Sequence, residues 1–137
     1  MSCKSNIYVA TTSSSSVVAN GVLPLATIVR RRGNELNLSG NSIAITDCGS
    51  NYYRVIINAT FTAPVPGVVT LNIQQNGVNV TGGTASTTIT VATTEVRSLT
   101  IPVEIRTFNN SGIDALTIIN SGVAATFSNI SISVEKL

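Results

Sequence analysis

Apolar and polar residues alternate with a period of two along most of the chain. Tyr53, Val55, Ile57, Ala59 and Phe61 share one parity, and Arg54, Asn58, Thr60 and Thr62 share the other. Leu71 and Ile73 alternate with Thr70, Asn72 and Gln74, and Leu99, Ile101, Val103 and Ile105 with Thr100, Pro102, Glu104 and Arg106. Ile130, Ile132 and Val134 alternate with Ser131, Ser133 and Glu135. Successive side chains of an extended chain point to opposite faces, so each run reads as a strand with one buried face. Val, Ile and Thr are stiff about χ1 and suit a pleated surface. No window carries an apolar stripe of helical period and length.

Turn residues punctuate these runs at Asn20-Gly21, Gly33-Asn34, Ser39-Gly40-Asn41, Pro64 to Gly67, Asn76-Gly77, Gly82-Gly83, Asn109 to Gly112 and Asn120 to Gly122. Asn76-Gly77 is the strongest, because both residues tolerate positive φ and extended runs flank it. The pattern predicts strands near 6–10, 22–31, 35–38, 43–46, 52–62, 68–75, 78–81, 85–92, 96–108, 114–119 and 124–136, with Thr11 to Ser16 a short polar loop. Closely spaced strands without helices make one all-β domain over residues 1–137, an antiparallel two-sheet sandwich with residues 1–5 as a flexible arm.

Composition narrows the function. The 137 residues and 14.2 kDa suit one domain. Charged residues are 10% against about 25% in an ordinary soluble domain, and Ser and Thr make up about a quarter of the chain. Hydrophobic content of 43% with a net charge of +2 excludes disorder. No apolar run reaches the ~18 residues of a transmembrane helix. Histidine is absent, which removes the commonest general base and zinc ligand. Ile7 to Ala10 is too short for the apolar core of a secretory signal, so the chain is expected to mature in the cytosol of the cell that makes it, with Cys3 and Cys48 as free thiols.

The segment Gly49-Ser50-Asn51-Tyr52-Tyr53-Arg54-Val55-Ile56-Ile57-Asn58-Ala59-Thr60-Phe61, followed by Val69 to Asn76-Gly77, resembles the jelly-roll heads of the tumour necrosis factor and complement first-component superfamily. There a Gly and an aromatic open a long central strand, and the next strand ends in an Asn-Gly hairpin. Leu36 to Ile45 resembles the paired short strands that precede it, and Ala124 to Ile130 the final strand. The short Cys-containing start and the Val134-Glu135-Lys136-Leu137 ending are similar to compact versions on spore-surface filaments and phage virions. The resemblance implies a jelly roll of about ten strands and a tight homotrimer.

The residues supply their own argument for assembly. Tyr52 and Ile56 share the polar parity of strand 52–62 with Arg54 and Asn58, and Pro102 and Phe108 share that of strand 96–108 with Glu104. Apolar groups among uncharged polar ones suit an interface. Tyr52, Arg54, Ile56, Asn58, Pro102, Glu104 and Phe108 are therefore the expected trimer contacts, with Arg54 and Glu104 pairing across subunits to set register.

Other candidate chemistry is sparse. Arg30-Arg31-Arg32 is the single charge cluster and reads as a contact for an anionic partner such as the acidic face of a capsid, or as solvated charge. Too few basic and stacking residues surround it for nucleic-acid binding. Some members of the resembled family bind calcium through loop carboxylates, and Asp114 is the best single candidate for that or for stabilising a turn. Cys48 lacks a base. No enzyme, resident metal or cofactor is expected. The resemblance points to a structural virion surface protein of a phage: a capsid decoration protein or a head or tail fibre module. Its expected partners are further copies of itself, other virion proteins and a host glycan, and neither nucleic acid nor membrane. The alternatives are a carbohydrate- or receptor-binding head using loops 11–16, 64–67, 82–84 and 109–112, or a spore-surface protein.

Overall fold

The computed structural model describes residues 4–47, 50–107 and 113–137. Twelve strands run in order: β1 (Asn6–Thr11), β2 (Ser15–Val17), β3 (Gly21–Val22), β4 (Thr27–Arg32), β5 (Leu36–Ser39), β6 (Ser42–Ile45), β7 (Tyr52–Thr62), β8 (Gly67–Gln75), β9 (Val78–Ile89), β10 (Arg97–Arg106), β11 (Asp114–Asn120) and β12 (Ala125–Lys136). They form two antiparallel sheets. One has the order β10-β7-β12-β1-β4, with β2 along β12; the other has β5-β6-β11-β8-β9, with β3 along β11. From β7 onward the chain crosses between sheets after β7, β9, β10 and β11.

The alternating parity sets which face closes on the core. Tyr53, Val55, Ile57, Ala59 and Phe61 of β7 are all buried, as are Ile130, Ile132 and Val134 of β12. They meet Leu71 and Ile73 of β8 and Leu116 and Ile118 of β11 within one apolar cluster. Each such side chain contributes about 1.5–3 kcal/mol by leaving water. Phe61 and Phe127 are tilted against each other with ring centroids 5.2 Å apart, an arrangement their quadrupoles favour.

The described residues form twelve strands, where the pattern predicts eleven and the resemblance implies about ten, for local reasons. The predicted strand 22–31 is divided into β3 and β4, because Pro24 between them has no N–H to give a ladder. Leu23 and Leu25 still enter the core. The Gly82-Gly83 pair makes no turn. Gly82 takes φ +82 inside β9, and the ladder shifts register between Asn72 and Gln74, so two predicted strands become one bulged strand. The expected polar loop gives way at Ser15 to β2, which pairs Ser15 to Val17 with β12. The expected arm is shorter: Ser5 is buried, its hydroxyl donates to Glu35 at 3.1 Å, and its carbonyl accepts from the Lys136 N–H.

The protomer exposes 6846 Å², against about 6,800 Å² expected for a folded monomer of its mass. Closing the core thus needs no second copy.

Candidate functional site

The outward face of the β10-β7-β12-β1-β4 sheet brings the expected contact residues together. Cross-strand register lays them in rows. One row reads Glu104, Arg54, Glu135, Asn6, Arg32 from β10 to β4; the next reads Pro102, Ile56, Ser133, Tyr8, Arg30. Tyr52 is 55% exposed and Ile56 40%. Pro102 and Glu104 are exposed, and Asn58 is half-buried, accepting from the Thr100 hydroxyl at 3.2 Å. The middle of the face carries small side chains, Ser131, Ser133 and Ala10. Charged side chains, Arg54, Glu104, Arg106, Glu135, Arg30 and Arg32, surround that middle, with the apolar groups between them. Phe108, Cys3, Cys48 and the 109–112 loop lie outside the described residues.

Two details add to that picture. Within the protomer, Arg54 donates to Glu135 of its own chain at 3.2 Å, its neighbour across β7 and β12. Glu104 has no ion pair among the described residues. Tyr8 belongs to the face as well, because its parity on β1 points outward. The polar parity of that short strand, carrying an aromatic, was the available signal.

Arg30, Arg31 and Arg32 end β4, a sheet edge exposed at every position. A bulge between Tyr8 and Val9 leaves Val29 without a partner there and puts Arg30 opposite Tyr8 and Arg32 opposite Asn6. Arg31 lies opposite the buried Ile7 and has the other parity. The cluster is thus divided between two faces.

On the opposite edge, β9 and β10 border an open cleft of about 430 Å³, lined by Gln75, Val78, Val80, Glu104, Ile105 and Arg106 among others. A shallower hollow of about 260 Å³ lies beside Arg54, Pro102 and Glu104.

A second polar cluster, which the sequence did not signal, sits at the end of β12 beside Ser5. The Lys136 ammonium donates to Glu35 at 3.0 Å and lies 3.3 Å from Asp47. The Tyr53 hydroxyl reaches Asp47 at 2.7 Å and Glu35 at 3.1 Å, and Asn51 donates to Asp47 at 2.8 Å. Burial works to raise the Asp47 carboxyl, but the hydrogen bonds from Tyr53, Lys136 and Asn51 and the Lys136 charge outweigh it and hold it below its ordinary value. Lys136 is raised, first by its bond to Glu35, against the effect of burial. Burial, then the two carboxylates, keep the Tyr53 hydroxyl protonated. Both carboxylates are therefore committed to structure.

Two further acids are also engaged. Asp114 is buried and accepts from Asn76 at 2.7 Å and Gln75 at 3.3 Å, with Asn76 in turn accepting from the Ala115 N–H. Amide donors aimed at a carboxylate do the work a cation would do, and no group of three His, Cys, Asp or Glu converges among the described residues. Glu95 takes the Val91 and Thr90 N–H groups, and these bonds pull it down to about 2.

Comparison with solved structures defines the class. The chain matches murine APRIL at TM-score 0.61 and 15% identity, over 98% of this chain and 100% of that one. It matches the globular domain of zebrafish complement 1qA protein at TM-score 0.62 and 8% identity, over 96% and 95%. The fold is a jelly roll of the tumour necrosis factor and complement-head type. The vertex protein P5 of PRD1 has it too, with TM-score 0.61 and 14% identity over 100% of this chain and 99% of that one. No family model matches the sequence, and no curated protein does. No helix among the described residues is long and apolar enough to cross a membrane.

Proposed function

We propose that this chain is a non-enzymatic virion surface protein that works as a homotrimer, assembled through the outward face of the β10-β7-β12-β1-β4 sheet. The observation that carries the reading is that face, which holds Tyr52, Ile56 and Pro102 in water in the single protomer among charges of both signs. Such a surface suits closure by copies of itself. The end-to-end likeness to a vertex protein supports a place on a virion. A structural role is supported by the acids, since each except Glu104 is engaged by a partner.

A recognition head is the second reading, favoured by one observation. Val65, Val91 and Val96 are each more than half exposed on the β7–β8 and β9–β10 loops, which the Thr93 N–H joins by donating to Ala63. Sedimentation equilibrium tests assembly: a species of three times 14.2 kDa is expected, and one of 14.2 kDa overturns the trimer. Antibody labelling of purified particles tests location, with label on the particle surface expected and label confined to the soluble lysate overturning it. Binding to glycan arrays that is abolished by Val91→Asp would favour the recognition head.

A further inference from the structure

We infer that Glu104 of one protomer pairs with Arg30 and Arg32 of the next protomer in the ring. The inference rests on the trimer proposed above and names what sets its register. In the row Glu104, Arg54, Glu135, Asn6, Arg32, the two inner charges neutralise each other within the chain. That leaves Glu104 at the β10 edge, with Arg106 of the same face held by the Ser50 hydroxyl at 2.6 Å, and Arg30 and Arg32 at the β4 edge; none of these has an ion-pair partner among the described residues.

The two edges cannot meet within one protomer. Four strand spacings of about 4.8 Å put them about 19 Å apart. A head-to-tail interface, in which the β10 edge of one copy meets the β4 edge of the next, brings them together and closes when repeated around a threefold axis. The hollow beside Glu104 and Pro102 has room for a guanidinium group. Arg30 and Arg32 lie on the parity of this face and Arg31 does not. Two of the three arginines are therefore committed to the neighbouring copy, and Arg31 is left for solvent or an anionic partner.

Charge reversal tests the pairing. All four side chains are exposed in the protomer, so the variants should fold, which circular dichroism will verify. Glu104→Arg should raise the concentration at which the trimer dissociates by about tenfold or more, since like charges now face each other. Combining it with Arg30→Glu and Arg32→Glu should restore assembly to within about threefold of wild type, and Arg31→Glu alone should leave assembly unchanged. Raising salt from about 0.05 to 0.5 M should weaken wild type and leave Glu104→Gln indifferent. A wild-type trimer indifferent to Glu104→Arg, or weakened by it and not rescued by the reversed arginines, overturns the pairing and leaves the trimer standing. A wild-type monomer or dimer overturns both.

Discussion

The Lys136 ammonium lies between Glu35 and Asp47, with the Tyr53 hydroxyl bridging the same two carboxylates. These residues come from β12, the β4–β5 turn, the β6–β7 connection and β7, so the cluster ties four parts of the chain together. Its effect on stability has two limbs. Asp47 is held below its ordinary 3.8, so its contribution is present above that value and drains away as pH falls through the lower folded value. Lys136 is held above its ordinary 10.5, so its contribution is present below that value and is lost as pH rises through the higher folded value. Thermal unfolding should show a plateau between about pH 4 and pH 10, falling on either side. Asp47→Asn should cost about 1–3 kcal/mol at neutral pH, because it leaves Lys136 and Tyr53 short of an acceptor. The variant should also fall less steeply than wild type on acidification; equal slopes would show that Asp47 does not carry the acid limb.

At the scale of elements, the turns hold the sheets in register. Asn76 and Gly77 take φ of 54° and 81°, as a two-residue hairpin between β8 and β9 requires, and Asp114 and Ala115 grip the Asn76 side chain from β11. Asn76→Ala should cost about 1–2 kcal/mol in chemical denaturation, through lost left-handed tolerance and lost bonds. Gly122 is confined by packing. A Cβ there would strike the Val68 carbonyl oxygen and sit 2.6 Å from the Thr70 nitrogen. Gly122→Ala should therefore lift the β11–β12 turn from β8. Faster hydrogen exchange at Ser121 and Val123, whose N–H groups donate to Thr70 and Val68, would report it; unchanged protection would count against the close approach.

Much at this scale was legible. Strand 52–62 was bounded to the residue, and 114–119 and 124–136 to within one, because long runs with strict alternation leave little choice of face. The failures have physical causes. Gly82-Gly83 has the composition of a turn and the geometry of a bulge, and only the pairing of β9 against β8 distinguishes them. β2 is two serines and a buried valine, too short to show alternation, and exists because β12 offers it an edge.

For the whole molecule, the accessible surface is already that of a compact monomer, so assembly should be separable from folding. Ile56→Asp places a charge at the centre of the outward face. It should yield a folded 14.2 kDa species in sedimentation with a melting temperature close to that of the isolated protomer. A variant that stays trimeric would move the interface elsewhere.

Alternation along the chain determined the strands, the buried faces and the two-sheet architecture, because parity is a property of the extended backbone and needs no knowledge of neighbours. Tertiary structure alone decided that Arg54 meets Glu135 within the protomer, that Arg30 and Arg32 part from Arg31, and that Ser5, Glu35, Asp47, Tyr53 and Lys136 converge. Those outcomes depend on which strands lie side by side and on where a bulge falls, and residues separated by up to 131 positions carry no local trace of that choice.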